Sequence, residues 1–204
     1  DFIRDWIKDD QGVPLASYSR EKRIRLALTE LGPTFIKLGQ VLSLRPDLIG
    51  SDLATELTSL QSELPADPPE KVSALIAKEL GKPVEELFAE FDAKPIASAS
   101  IGQVHMARLH DGTRVVVKVQ HANIQNVVRE DMEVLAGLAT LASHIPEIEV
   151  WKPIVLVEQL SKSLKRELNF SRELQNLQLF ARELEHYEGV CIPAPFPKLS
   201  SSRV

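Results

Sequence analysis

The chain has 204 residues, 24 Lys and Arg against 29 Asp and Glu, and 44% hydrophobic residues. That length holds one large domain or two small ones, and the balance of apolar and charged residues is that of a folded protein rather than a disordered one. A formal net charge of −5 argues against a nucleic-acid partner, and a single cysteine, Cys191, rules out an internal disulfide or a Cys-rich zinc site. No apolar run approaches the roughly 20 residues of a membrane span. The opening DFIRDWIKDD lacks the basic start and apolar run of a signal peptide and begins without Met, so it reads as the start of an excised piece.

Residues 1–92 are predicted to be helical. Phe2, Ile3, Trp6 and Ile7 form an apolar face, expected to pack on another helix because Asp1, Asp5, Asp9 and Asp10 would repel anionic lipid. A helix is predicted over 17–48 from the spacing of Leu28, Leu31, Phe35, Leu38 and Leu42, with Gly32-Pro33 breaking or kinking it. A second, over 51–63, places Leu53, Leu57, Leu60 and Leu64 on one face, with Ser51 or Asp52 as its cap. Pro65-Ala66-Asp67-Pro68-Pro69 ends it, a third helix runs over 69–80 to a stop at Gly81, and 84–91 forms one or two further turns.

Between 95 and 120 the period changes. Two β-rich runs, 103–109 and 113–120, flank His110-Asp111-Gly112, a strong hairpin signal. The apolar run 115–119 predicts a strand covered on both faces, and Lys118 within it needs a partner. Helix returns over 124–142 and over 153–187, the second beginning at Trp151-Lys152-Pro153 and reaching roughly 50 Å at about 1.5 Å per residue. Cys191, read as structural, opens a proline-rich loop, and strands are expected to begin at 196–199 and 203–204. His105, His110, His121, His144 and His186 show no metal-ligand spacing, so no metal site is assigned.

Ala97-Ser98-Ala99-Ser100-Ile101-Gly102-Gln103-Val104 has the spacing of the kinase loop G-x-G-x-x-G-x-V, with alanine in the first two glycine positions. Such a loop turns tightly between two strands and aims backbone N–H groups at phosphate oxygens. Alanine resists positive φ, which predicts a stiffer loop. Val115-Val116-Val117-Lys118 then matches the V-A-I-K strand, whose lysine holds the α- and β-phosphates and pairs with a helix glutamate. On these residues alone, an ordinary hairpin with a snorkelling lysine is the alternative.

Phe35-Ile36-Lys37-Leu38-Gly39-Gln40, followed by Leu44-Arg45-Pro46-Asp47-Leu48, resembles the K-x-G-Q signature of UbiB-type atypical kinase-like proteins. Pro95-Ile96 with the alanine-rich loop and His105 resembles that family's nucleotide loop, and Lys118-Val119-Gln120 continues the match. Glu167-Leu168-Asn169-Phe170-Ser171-Arg172-Glu173-Leu174-Gln175-Asn176 resembles its E-x-D motif and following E-x-x-N. The resemblance runs collinearly from about residue 20 to the end. It implies an α+β fold: a protein-kinase-like small lobe, an antiparallel sheet with helices, preceded by a helical N-terminal extension, with the C-terminal lobe absent. The extension is assigned to 1–92 and the partial small lobe to 93–204. The same resemblance implies ATP binding, with Mg²⁺ in the complete protein, and weak or absent phosphorylation of protein substrates. It implies a role in ubiquinone (coenzyme Q) biosynthesis, membrane lipid or ubiquinone-biosynthesis proteins as partners, and a cytoplasmic location peripheral to a membrane.

Carried over by residue, Ala97, Ser98, Ala99, Ser100, Ile101, Gly102, Gln103 and Val104 cover the phosphates, Lys118 contacts them and Glu173 pairs with Lys118. Glu130 and Glu133 are the rival partners. Lys37 and Gln40 reach the site from the extension, where Glu167 and Asn169 meet them. On one straight helix Asn169, Glu173 and Asn176 form a stripe, and Glu167 lies about 120° from Glu173, so the two glutamates are expected to serve different partners. Asn169 stands where the family has Asp, and Ser62 where it often has Asp, and both departures weaken the case for retained activity. A kinase also needs a catalytic-loop Asp and Asn and the Asp of D-F-G, and no such sequence follows Lys118. The chain is therefore expected to supply no catalytic residue. The alternative is a helical lipid- or protein-interaction module that has lost nucleotide chemistry.

Overall fold

The computed structural model describes residues 8, 12–60 and 64–204; the apolar face at 2–7 and the Ser62 position lie outside the described residues. Among these, ten helices and four strands follow in order. Four helices come first: α1 Arg20–Glu30, α2 Pro33–Ser43, α3 Pro46–Ile49 and α4 Ser51–Leu57. Then come α5 Pro69–Leu80, α6 Val84–Leu87, β1 Glu90–Phe91, β2 Ala97–Ser98, β3 Gly102–Arg108 and β4 Arg114–Gln120. The last are α7 Ile124–Ala142, α8 Pro146–Glu149, α9 Pro153–Glu167 and α10 Phe170–Glu183. The class is α+β, as the sequence implies. The chain divides into two units, residues 1–62 with 131–160, and residues 63–130 with 161–204.

In the first unit, the helix expected over 17–48 is three helices. Gly32 adopts φ +95° and Pro33 starts α2, so the chain turns where proline cannot continue a helical ladder. Ser19 caps α1 by accepting the Lys22 N–H at 3.1 Å. Neither Ser51 nor Asp52 caps α4; that place falls to Gly50, and α4 stops at Leu57 with Leu60 buried just beyond it. Gly39 sits against Leu28, Leu57 and Leu60, where a Cβ would overlap the Leu60 methyl. Thr34, fully buried on α2, donates to Oδ2 of Asp131 on α7 at 2.6 Å.

In the second unit, α5 runs between Pro69 in its first turn and Gly81 at φ +76°. The stretch predicted helical over 84–91 makes only one turn, α6, before β1 pairs with β3. β3 is the central strand: β4 lies on one edge, β1 and β2 follow one another along the other, and every pairing is antiparallel. Gly112 at φ +88° and Asp111, whose carboxylate accepts the Thr113 N–H at 2.8 Å, close the β3–β4 turn. That hydrogen bond holds the Asp111 carboxyl below the usual range.

β4 is covered on one face only, not both. Val117 and Val119 pack with Ala107 against Val72, Leu75 and Ile76 of α5, while Val116 is 61% exposed beside Lys118 on the opposite face. The long helix expected over 153–187 breaks at 168–169 into α9 and α10. The Asn169 side chain accepts the Ser171 N–H at 3.1 Å and caps α10. The Phe170 N–H turns away to Ser202 O at 2.9 Å, and Gln120 Nε2 donates to Leu168 O at 2.7 Å. The strands expected at 196–199 and 203–204 do not form; Pro197–Leu199 is a 3₁₀ turn, and the Arg203 carbonyl accepts the Gln120 N–H at 3.0 Å. Cys191, read as structural, is exposed.

Candidate functional site

The loop 97–104 is a tight hairpin. Ala97 pairs with Val104 and Ser98 with Gln103, and the Ala99 N–H donates to Gly102 O at 2.9 Å. None of its residues has positive φ, so alanine occupies the two glycine positions of the kinase pattern without strain. Gly102 is needed for another reason: a Cβ there would overlap the Val119 carbonyl oxygen and lie 3.0 Å from Gln120 Cα on the neighbouring strand. The N–H groups of Ser100 and Ile101 take no partner among the described residues.

Lys118 is opposite Val104 in the β3–β4 register, which puts both side chains on the open face. Its Nζ lies 2.7 Å from Glu173 Oε2 and 4.6 Å from the centroid of the Phe170 ring. The pair is half-exposed, so its contribution to stability is small and its consequence is position. Glu173 owes its place to the helix break: the Asn169 cap starts α10, and Glu173 falls in its first turn, where the helix dipole favours a carboxylate. Of the rival partners, Glu130 is near Arg129 at 3.9 Å.

Lys118, Phe170 and Glu173 stand between two clefts. The polar one, about 750 Å³, is lined by Ala97, Ala99, Ser100, Ile101, Gly102 and Val104 of the loop and by Arg166, Glu167, Asn169, Arg172 and Asn176; Ser98 and Gln103 of the loop do not line it, and Gln103 is fully buried. That volume suits a ligand of nucleotide size. The apolar one, about 200 Å³, runs along Val115, Val116 and Val117 toward Leu177 and Phe196. Because the helix breaks, the angle argued for Glu167 and Glu173 on one straight rod does not apply. Glu167 ends α9, Asn169 caps α10, and both line the polar cleft together with Glu173.

Arg166 and Arg172 were not singled out from the sequence, although both fall within or beside the stretch from Glu167 to Asn176. A single long helix made them part of a solvated face, whereas the break turns them to the cleft. Lys37 and Gln40 are half-buried, three residues apart on α2 of the first unit. Among the described residues there is no cluster of three or more His, Cys, Asp or Glu suited to a metal, and no helix is long and apolar enough to cross a membrane.

The profile of the ABC1 atypical kinase-like domain matches residues 59–204. A relative from Xylella fastidiosa (strain 9a5c), described as a probable protein kinase UbiB, is 41% identical over 180 residues. Proteins with the same description from Marinobacter nauticus and Pseudomonas paraeruginosa are 43% identical over 183 residues and 44% over 176. The matches cover 86 to 88% of this chain but 33% of each relative, so the chain spans about a third of the length of the curated relatives it matches. Among solved structures, Mycobacterium tuberculosis Rv3197, in its complex with erythromycin, superposes with a TM-score of 0.59 at 27% identity, over 88% of this chain and 41% of that one.

Proposed function

The chain belongs to the ABC1 atypical kinase-like family, and from that premise we propose that its second unit binds ATP by the phosphates, as part of an atypical kinase or ATPase serving ubiquinone biosynthesis. The observation that carries this reading is Lys118 Nζ held 2.7 Å from Glu173 beside a loop with two backbone N–H groups that take no partner among the described residues. Glu173 keeps the ammonium extended toward the polar cleft, where it meets the α- and β-phosphates. Ala97, Ala99, Ser100, Ile101, Gly102 and Val104 roof the phosphates, Ser98 and Gln103 hold the hairpin by pairing with each other, and Arg166 and Arg172 add positive charge to the cleft wall. Mg²⁺ would be held chiefly by the phosphates and would offset their charge, in keeping with its habit of binding through few protein ligands.

Lys37 and Gln40, with Glu167 and Asn169, regulate access to the nucleotide. Asn169 meets the structural demand at its position, because asparagine caps a helix as well as aspartate does. ATP brings the transferable phosphoryl group; the residues that move it are assigned outside these 204. The relatives' description as probable protein kinase UbiB supports the link to ubiquinone biosynthesis.

Thermal-shift titration of the complete protein with Mg·ATP, with and without Lys118→Ala, tests the assignment. The wild type should gain stability with nucleotide in proportion to the logarithm of its concentration, and the variant should lose most of that gain. An equal response in both sinks the ATP site and leaves the interaction-module reading.

A further inference from the structure

Two residues after Lys118, at the end of β4, stands Gln120. Side chains alternate along a strand, so the two share one face of it. Lys118 is half-exposed at the cleft, whereas Gln120 is 1% exposed. Both ends of the Gln120 amide are engaged. Nε2 donates to Leu168 O at 2.7 Å and to Ser202 O at 3.3 Å, and Oε1 accepts from Gln125 Nε2 at 3.2 Å. Leu168 O and Ser202 O are peptide carbonyls, which only accept, so the amide nitrogen must face them. The Gln120 backbone N–H donates to Arg203 O at 3.0 Å. One residue thus joins the end of β4 to residues 202–203 and to the junction of α9 and α10.

That junction is where the periodic pattern predicts an unbroken helix. In such a helix the Leu168 carbonyl would accept the Arg172 N–H, and the Phe170 N–H would donate to Arg166 O. Instead the Arg172 N–H donates to Asn169 O at 3.1 Å and the Phe170 N–H to Ser202 O at 2.9 Å, while the Leu168 carbonyl takes Gln120. A carbonyl withdrawn from water without a donor is costly, so a donor at this place favours the break over its continuation. The start of α10 at Phe170 in turn sets where Glu173 falls: in the first turn, 2.7 Å from Lys118 Nζ, with the Phe170 ring 4.6 Å from the same atom.

We infer that Gln120 is a positioning residue: by holding the Leu168 carbonyl it fixes where α10 starts, and so brings Glu173 to Lys118. It lines neither cleft and acts through the helix. Its bearing on nucleotide affinity rests on the polar cleft being the phosphate site. A single strand carries the lysine and, two residues later, the group that places the lysine's partner.

The complete protein tests this with Gln120→Leu, which keeps the bulk of the side chain and removes both donations, alone and combined with Glu173→Gln. Gln125→Leu is the control, since it removes the neighbour of Oε1 and leaves the donations in place. The first readout needs no nucleotide: hydrogen exchange of the segment 168–173. Exchange should quicken about tenfold in Gln120→Leu, the worth of one hydrogen bond whose loss strands its acceptor, and keep the wild-type rate in Gln125→Leu. The second is Mg·ATP affinity. Gln120→Leu should weaken it by about the same factor as Glu173→Gln, and the double variant should be no worse than the weaker-binding single one. A general structural contribution would multiply with the Glu173→Gln loss. Unchanged exchange in Gln120→Leu, an affinity that only Glu173→Gln lowers, or losses that multiply overturn the inference. Quicker exchange in Gln120→Leu with no nucleotide bound, or with one affinity shared by every variant, upholds the placing of α10 and overturns the phosphate-site reading instead. Should Gln120→Leu fail to fold, Gln120→Met, flexible and equally without a donor, is read in the same two ways.

Discussion

On one face of the β3–β4 hairpin, Ala107, Val117 and Val119 are sealed against α5; on the other, Val116 stays 61% exposed and Lys118 reaches Glu173. Neighbouring residues of a strand point to opposite faces, so a single run of valines serves both a core and a cleft. The buried face holds the sheet on its helix. The open face is not sealed, which leaves its lysine, paired with Glu173, within reach of a ligand. Damage to folding and damage to binding should therefore separate along one strand.

Gly102→Ala is expected to break the separation by striking both faces. Its new methyl meets backbone, not a movable side-chain tip, and strains the β3–β4 ladder beneath the loop. A loss of about 3 kcal/mol, the upper range for overpacking, should appear in the denaturation midpoint, together with weaker nucleotide binding. Val119→Ala strikes the buried face alone. Val119 is fully buried, and its truncation should cost about 2 kcal/mol while leaving Mg·ATP affinity of the folded protein within about twofold. Calorimetric titration at a temperature where both proteins are folded checks this.

The smallest effect lies at the turn joining the strands. Asp111 has its carboxyl held below the usual range by the Thr113 N–H, so its contribution is present above the ordinary carboxylate value of about 3.9 and is lost as pH falls through the depressed one. The thermal midpoints of the wild type and Asp111→Ala should differ slightly at neutral pH and converge in acid.

Elements punctuated by their own residues were legible from the sequence. Pro69 and Gly81 bound α5, Asp111-Gly112 turn the hairpin, and Gly32-Pro33 divide α1 from α2. The break at Asn169 was not, because the periodic pattern runs on through it. The chain leaves the helix where Asn169 caps α10 and where Gln120 and Ser202, distant in sequence, take the Leu168 carbonyl and the Phe170 N–H. The exposed side of β4 was missed for a related reason: a run of valines is equally compatible with one covered face or two. The loop, Lys118 and Glu173 were legible as motifs. The contact of Asp67 with His121 was not, since it joins segments with no shared pattern.

The central claim is that Glu173 serves nucleotide binding through Lys118. The most direct measurement is a double-mutant cycle in Mg·ATP affinity on the complete protein, using Lys118→Ala, Glu173→Gln and the double variant. If the carboxylate acts by holding the ammonium, Lys118→Ala should lose at least about tenfold, a single charge-assisted contact to phosphate, and Glu173→Gln less. The double variant should then be no worse than Lys118→Ala alone. Losses that multiply, or no loss in Lys118→Ala, would contradict it.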